Sequence, residues 1–211
     1  MENRITQCTE LSEKLYYSIK DAKTYNGIEN DIDFVFECAL DKNKSIWEYC
    51  SDNLYLLASV STKVQSRIVE LMKTGTAHAK FILTCSVQLN PRGVQVGRDF
   101  ISKIIELAIQ DKSKKVKQFG ALRANSYDFY EYAALIKLEL DKATDSKVIE
   151  TLSYCYELLT KGYIIDKPDT DTRTWITYNG GGFPLDEEIN DPEELHNFIL
   201  ERLKNNPRIQ Y

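Results

Sequence analysis

Residues 104–124 read IIELAIQDKSKKVKQFGALRA, and this stretch decides the fold class. Ile104, Ile105 and Ala108 recur at helical spacing, with Phe100 and Ile101 one turn earlier. The turn Asp111-Lys112-Ser113-Lys114 interrupts them, and Val116, Phe119 and Gly120 open a second apolar stripe. Two amphipathic helices joined by so short a turn must lie antiparallel, apolar side to apolar side.

The same layout continues on both sides. Upstream, Val64, Ile68, Leu71 and Met72 stand at i, i+4, i+7 and i+8. Lys73-Thr74-Gly75-Thr76 ends that helix, Gly75 suggesting a left-handed exit. Phe81, Cys85 and Leu89 mark the partner stripe, closed by Asn90-Pro91-Arg92-Gly93. Downstream, Phe129, Ile136 and Leu140 face inward on one helix, and Val148, Leu152, Cys155 and Leu159 on the next, which Gly162 closes. Nearer the start, a helix is expected from about Thr9 to Lys23, with Leu11, Leu15 and Ile19 on one face. Residues 32–40 and 46–60 supply further helices.

An approximate repeat runs through this region. Ile68-Val69-Glu70-Leu71 returns as Ile104-Ile105-Glu106-Leu107, and Asp111 to Val116 is echoed by Asp145-Ser146-Lys147-Val148. On these residues the stretch from about 60 to 162 resembles HEAT-type repeats, whose hairpins carry an Asp in the turn and a Val early in the second helix. The customary Pro of the first helix is missing. The resemblance implies an all-α chain of stacked antiparallel helical hairpins, an α-solenoid whose units bury their apolar faces only against neighbours. It implies a binding surface and no reaction.

After Gly162 the composition changes. Trp175-Ile176-Thr177-Tyr178 favours extended backbone, and Asn179-Gly180-Gly181-Gly182 precludes helix. Asp191-Pro192-Glu193-Glu194 then has the form of a helix start, with Asp as N-cap and Pro at the first helical position. Leu195, Phe198, Ile199 and Leu203 would line the inner face of a helix that caps the stack. The expected division is a helical repeat domain over 1–164, then an acidic Gly-containing loop and capping helix over 165–211, packed on the same domain.

Composition narrows the function classes. With 43% hydrophobic and 28% charged residues, the chain is globular rather than disordered. A net charge of −5 argues against a dedicated nucleic-acid binder. Five cysteines without a CxxC pair point to free thiols in a reducing compartment. The N-terminus lacks the apolar run of a signal peptide, and no segment is apolar enough for a membrane span, so a cytoplasmic protein is expected. His78 and His196 have no metal-ligand spacing. The glycines at 180–182 match no phosphate-loop or dinucleotide pattern, and GxSxG is absent. No cofactor and no catalytic residue is expected.

Three surfaces remain as candidates. Residues 166–194 hold nine Asp/Glu against Lys167 and Arg173, a local charge of −7. Asp186, Glu187 and Glu188, with Trp175 and Tyr178, form an acidic aromatic segment suited to a basic partner. On the helix carrying the Val148 stripe, Tyr154 lies opposite that stripe beside Glu150 and Glu157. An exposed tyrosine among carboxylates is what interfaces favour. The third is the basic turn Lys112, Lys114, Lys115 and Lys117, able to meet a phosphate backbone. The functional expectation is a non-enzymatic protein-binding scaffold, in one version an immunity- or antitoxin-like inhibitor of a basic partner. The alternatives are a nucleic-acid or phosphate binder using the lysine turn, and an enzyme with an unrecognised site.

Overall fold

The structure, a computed structural model, describes residues 2–21, 28–166, 174–179, 181–185 and 189–204. These residues are mostly helical, with one small antiparallel sheet. The chain divides into two compact units, Met1–Tyr127 and Asp128–Tyr211. That division falls upstream of the boundary expected at 164/165. The helix pair carrying the Val148 stripe therefore groups with the C-terminal elements rather than with the earlier hairpins.

The first unit contains α1 (Glu2–Lys20), α2 (Ile28–Ala39), α3 (Lys44–Cys50), α4 (Asp52–Ala58), α5 (Thr62–Thr74), α6 (Ala77–Cys85), α7 (Arg98–Ile109) and α8 (Lys114–Ser126). Side chains set several starts. Asn43 accepts from the Ser45 N–H, Ser61 from Val64 and Thr76 from Ala79, each satisfying a donor that the first helical turn leaves free. On α7 the expected Ile101, Ile104, Ile105 and Ala108 are buried, Ile109 joins them, and Phe100 is only half-buried. It packs on α8, where Val116, Gly120, Ala121 and Ala124 are buried. Small residues at Gly120, Ala121 and Ala124 let these two helices approach closely.

Three expectations are corrected here. On α1 the buried face is Cys8, Ser12, Leu15 and Tyr16, rotated from Leu11 and Ile19, which are half-buried. Ser12 tolerates burial because its hydroxyl donates to the Cys8 carbonyl at 2.6 Å. Gly75 is extended (φ −69°, ψ 170°), not left-handed. Its requirement is space, since a Cβ there would stand 2.4 Å from the Leu71 carbonyl oxygen. On α6 the buried residues are Ala79, Ile82, Leu83 and Thr84, and Leu89 lies beyond the helix end. Phe81 is held differently, as a ring between two other rings.

Those rings reveal how the hairpins register. Trp47 of α3 meets Phe81 of α6 edge-on at 6.1 Å, and Phe81 meets Phe119 of α8 edge-on at 5.1 Å. On the first helices, Glu29 pairs with Lys63 and Asp33 with Arg67, joining α2 to α5. The Arg67 guanidinium also lies 4.0 Å over the Phe36 ring. In turn α5 packs on α7 and α6 on α8.

The turns repeat as well. Asp41 precedes α3, and its two carboxylate oxygens accept from the Asn43 N–H at 2.8 Å and from Arg4 at 2.6 Å. Asp111 precedes α8 and does the same with the Ser113 N–H at 2.8 Å and Lys80 at 2.8 Å. First helices start at Ile28, Thr62, Arg98 and Ala133, and second helices at Lys44, Ala77, Lys114 and Ser146. Successive starts are 32–37 residues apart in each series.

The second unit begins with a single 3-10 turn, Tyr130–Tyr132, then α9 (Ala133–Asp141) and α10 (Ser146–Lys161). Asp145 caps α10, accepting from Lys147 and Val148 N–H groups, and Gly162 ends it at φ 81°, a conformation that favours glycine. Val148, Leu152, Cys155 and Leu159 are all buried, as their spacing predicts. The chain then forms β1 (Tyr163–Asp166), β2 (Thr174–Tyr178) and β3 (Gly181–Leu185), antiparallel in the order β1-β2-β3. Tyr163 pairs with Tyr178 and Ile165 with Ile176, while Tyr178 pairs with Gly181 and Trp175 with Pro184.

The expected predominance of helix holds, and this small sheet stands beside it. The last helix, α11 (Pro192–Lys204), packs on the sheet. Tyr163, Ile176, Tyr178, Ile199 and Leu203 form the core between them, with Phe183, Leu195, Phe198 and Leu200 packed around. Fully burying Ile176 and Ile199 contributes roughly 2–3 kcal/mol each relative to exposure. Asp191 is the N-cap that the sequence predicts, accepting from Glu193 and Glu194 N–H groups at 2.8 and 2.9 Å. Gly181 and Gly182 belong to β3 itself, so part of the glycine run is strand.

Candidate functional site

The second unit gathers what a binding surface needs. Residues 128–211 carry seventeen Asp/Glu against nine Lys/Arg, a net −8, while residues 1–127 carry fifteen against eighteen, a net +3. The large hydrophobic residues that stay exposed also concentrate in the second unit: Tyr130, Leu138, Ile149, Tyr154 and Ile165, with Tyr17 and Tyr49 in the first. An apolar side chain left in water is ordinary when it stands singly; several on one acidic unit are informative.

The outer side of α10 is the centre of this surface. Helical spacing puts Glu150, Tyr154, Glu157 and Lys161 on the face opposite the buried Val148, Leu152, Cys155 and Leu159. Tyr154 is 39% exposed. Partial burial, with the neighbouring Cys155 thiol adding to it, pushes its hydroxyl above the usual tyrosine range, so it stays a neutral donor. Glu157 and Lys161 approach to 3.7 Å one turn apart, an exposed pair of little energetic weight.

Beside that face runs a cleft of about 530 Å³, lined by Glu157 and Lys161 of α10, Tyr163 and Ile165 of β1, and Pro192, Leu195 and His196 of α11. The left-handed turn at Gly162 sends β1 off α10, which brings these elements together. The Tyr163 hydroxyl and His196 Nδ1 lie 2.6 Å apart. Burial raises the Tyr163 pKa, so the phenol keeps its proton, and the two groups share one hydrogen bond whose donor is set by the imidazole tautomer. Ile165 is 44% exposed at the rim.

The residues expected to bind a partner divide into three groups. Glu150, Tyr154 and Glu157 come together on α10, and Glu157 reaches the cleft. Tyr178 does not belong to the surface: it is a core residue between sheet and helix, because strand alternation points Ile176 and Tyr178 to the same inner side. Trp175 is half-buried on β2, paired with Asp166 and Pro184. Asp186, Glu187 and Glu188 lie outside the described residues, as does Gly180.

The lysine turn belongs to the first unit. Lys112, Lys114 and Lys115 are exposed and Lys117 is half-buried, the last three in the opening turns of α8. Lys115 Nζ sits 3.7 Å from the Phe81 ring centroid, and Lys114 and Lys117 are engaged by neighbouring groups. Ser113 makes no side-chain cap and the first turn holds no acid, so α8 starts with cations at the positive end of its dipole.

Two features of the site escaped the sequence. Ile165 carried no signal of its own in the sequence, and His196 showed only that it lacks metal-ligand spacing. Their meeting depends on a 33-residue excursion of the chain between Tyr163 and His196. His78 has a structural contact, its Nε2 standing 3.1 Å from the Asp41 carbonyl oxygen. Among the described residues no group of three or more His, Cys, Asp or Glu could hold a metal ion, and no helix is long and apolar enough to cross a membrane. Compared with known proteins, the chain matches no protein-family model, no curated protein and no solved structure.

Proposed function

We propose that this chain is a non-enzymatic protein-binding scaffold built on HEAT-like helical hairpins, and that its second unit takes a basic partner. The single observation that carries this is the coincidence, in residues 128–211, of a net −8 with exposed Tyr130, Leu138, Ile149, Tyr154 and Ile165. Acidic surroundings steer a cationic partner, and the aromatic and aliphatic side chains supply the area it must desolvate. The helix starts at 32–37-residue intervals and the pairing of α5 with α7 and α6 with α8 support the repeat reading. An immunity- or antitoxin-like inhibitor is the version that fits best. Such a protein masks an enzyme by complementarity of shape and charge, and needs no chemistry of its own.

The test is affinity capture from the native cell with the full chain, followed by the same capture with Tyr154→Ala, Glu150→Lys and Glu157→Lys combined. These side chains lie on the solvent side of α10, so the fold should survive. The expected result is a basic protein retained by the parent chain and lost from the variant. Equal recovery of the same partner by both would overturn the assignment of the surface.

One observation favours a second reading. The cationic start of α8, at Lys112, Lys114, Lys115 and Lys117, sits in the unit with a net +3. Binding of a nucleic-acid or phosphate backbone there would weaken steeply with salt and be lost in Lys114→Glu with Lys115→Glu. No retention of duplex or single-stranded DNA or RNA at low salt would remove this alternative.

A further inference from the structure

The two edges of the small sheet are unlike. An outer strand offers a row of backbone groups to any extended segment, and folded proteins blunt such edges with proline, lysine or cover. On β3, Pro184 has no N–H to offer, and Gly181 and Gly182 supply no side chain to pack a further strand. On β1 the run is Tyr163-Ile164-Ile165-Asp166, with neither Pro nor Lys. Its partner on one side is β2, and among the described residues no backbone bond closes the other side.

The open edge adjoins the cleft. Ile165 belongs to both, and Leu195 and Pro192 form the opposing apolar wall. The carboxylates beside the edge are Glu157 on α10, which lines the cleft, and Asp166 at the end of β1, in a unit with a net −8. The cation lining the cleft, Lys161, is held by Glu157. His196 is engaged by Tyr163.

We propose that β1 accepts an extended, cationic segment of a partner protein as a fourth strand, with one aliphatic side chain of that segment seated in the cleft between Ile165 and Leu195. The inference rests on the binding reading above and names the form its partner takes. The backbone of the incoming strand supplies hydrogen bonds, and alternate side chains supply selectivity. Four residues of β1 span about 13 Å, room for four residues of a partner strand. Alternation then sends one set of side chains into the cleft and the other, cationic, set to the opposite face of the sheet, where Asp166 lies.

The test selects random dodecapeptides displayed on phage against the immobilised full chain. The dominant peptide is synthesised, and its affinity is measured by fluorescence anisotropy with hydrogen exchange as the map. The expected peptides alternate Lys or Arg with aliphatic residues and slow exchange at 164–166. Ile165→Lys should weaken binding by at least about tenfold while leaving the exchange of α11 unchanged. Methylating alternate backbone nitrogens of the peptide, which leaves the protein untouched, should cost at least about tenfold as well. Enrichment of acidic peptides, no enrichment, or indifference to N-methylation would each overturn the proposal. So would protection of β1 that grows with protein concentration and accompanies a sedimenting dimer, since a second copy would then own the edge. Peptides that protect α10 and depend on Tyr154, but leave β1 exchanging freely, would overturn the strand inference and leave the binding reading intact.

Discussion

The Tyr163 hydroxyl lies 2.6 Å from His196 Nδ1, so the first strand of the sheet is tied to the last helix at the mouth of the cleft. Tyr163→Phe keeps the ring in the sheet–helix core and deletes this bond alone. The expected cost is about 1 kcal/mol, read as faster amide exchange along α11 with α10 unchanged. Nitrogen chemical shifts of His196 should differ between parent and variant, since Nδ1 loses its hydrogen-bond partner.

The Lys80–Asp111 pair is the most buried ion pair described, with side chains 12% and 7% exposed. Asp111 also holds the Ser113 N–H at the start of α8. Asp111→Ala strands a nearly buried ammonium and an unpaired N–H, and should cost about 3 kcal/mol. The measurement is the urea midpoint at unchanged slope. Asp111→Asn should cost less, since its amide oxygen still accepts from Ser113. Lys80→Met with Asp111→Leu should recover most of the loss, because no buried charge is then left alone.

Gly120 sits in the interior of α8, where alanine would ordinarily be better by about 1 kcal/mol. Here a Cβ would stand 2.8 Å from both Ala108 Cβ and Ile109 N on α7. Backbone cannot give way cheaply at that distance, and overpacking of this kind costs about 1–3 kcal/mol. Gly120→Ala should therefore destabilise the first unit despite its helix propensity. A raised thermal midpoint would mean that the α7–α8 contact yields to a methyl group.

Burial pushes the Cys155 thiol from 9.0 up to about 12. The unfolded chain would lose that proton first, so folding keeps a proton that unfolding releases. Stability from this group is complete below about pH 9 and declines as pH rises from 9 toward 12, by up to about 1.4 kcal/mol per pH unit. Tyr55, fully buried with its hydroxyl 2.5 Å from the Leu83 carbonyl oxygen, is shifted the same way by burial and adds to the decline. Cys155→Ala should flatten the alkaline limb of the urea midpoint against pH. It should also remove one of the four buried thiols that alkylate only after unfolding.

The helices were legible where apolar spacing was dense. On α10 all four positions of the stripe are buried, and on α7 Ile101, Ile104, Ile105 and Ala108 are, with Phe100 half-buried. Asp191 and Gly162 were legible because each serves a local geometric need. On α6, Phe81 is held by rings on two other helices, which no local period encodes. The sheet was half legible. Trp175 to Tyr178 reads as extended, but β1 has only four residues and β3 contains two glycines and a proline. The strand character of β3 comes from its partner, not propensity, and β1, though Tyr and Ile favour extended backbone, is too short to stand out. For the same reason Tyr178 looked like a surface tyrosine until α11 was seen to cover it. At the candidate site Glu150, Tyr154 and Glu157 followed from one helix face, whereas Ile165 and His196 required the chain to return. The shared turn was spelled out all along, as Asp41-Lys42-Asn43-Lys44 and Asp111-Lys112-Ser113-Lys114, seventy positions apart.

Those two aspartates have an evolutionary corollary. Each one is a joint at which a preceding cation, a backbone N–H and the next helix converge. The greasy letters between joints can be exchanged for others of similar bulk, but the joint cannot move without dragging three groups with it. Kin of this chain would then be found by metre rather than by spelling: a carboxylate at every second hairpin turn, a basic side chain ahead of it, and a helix opening three residues on.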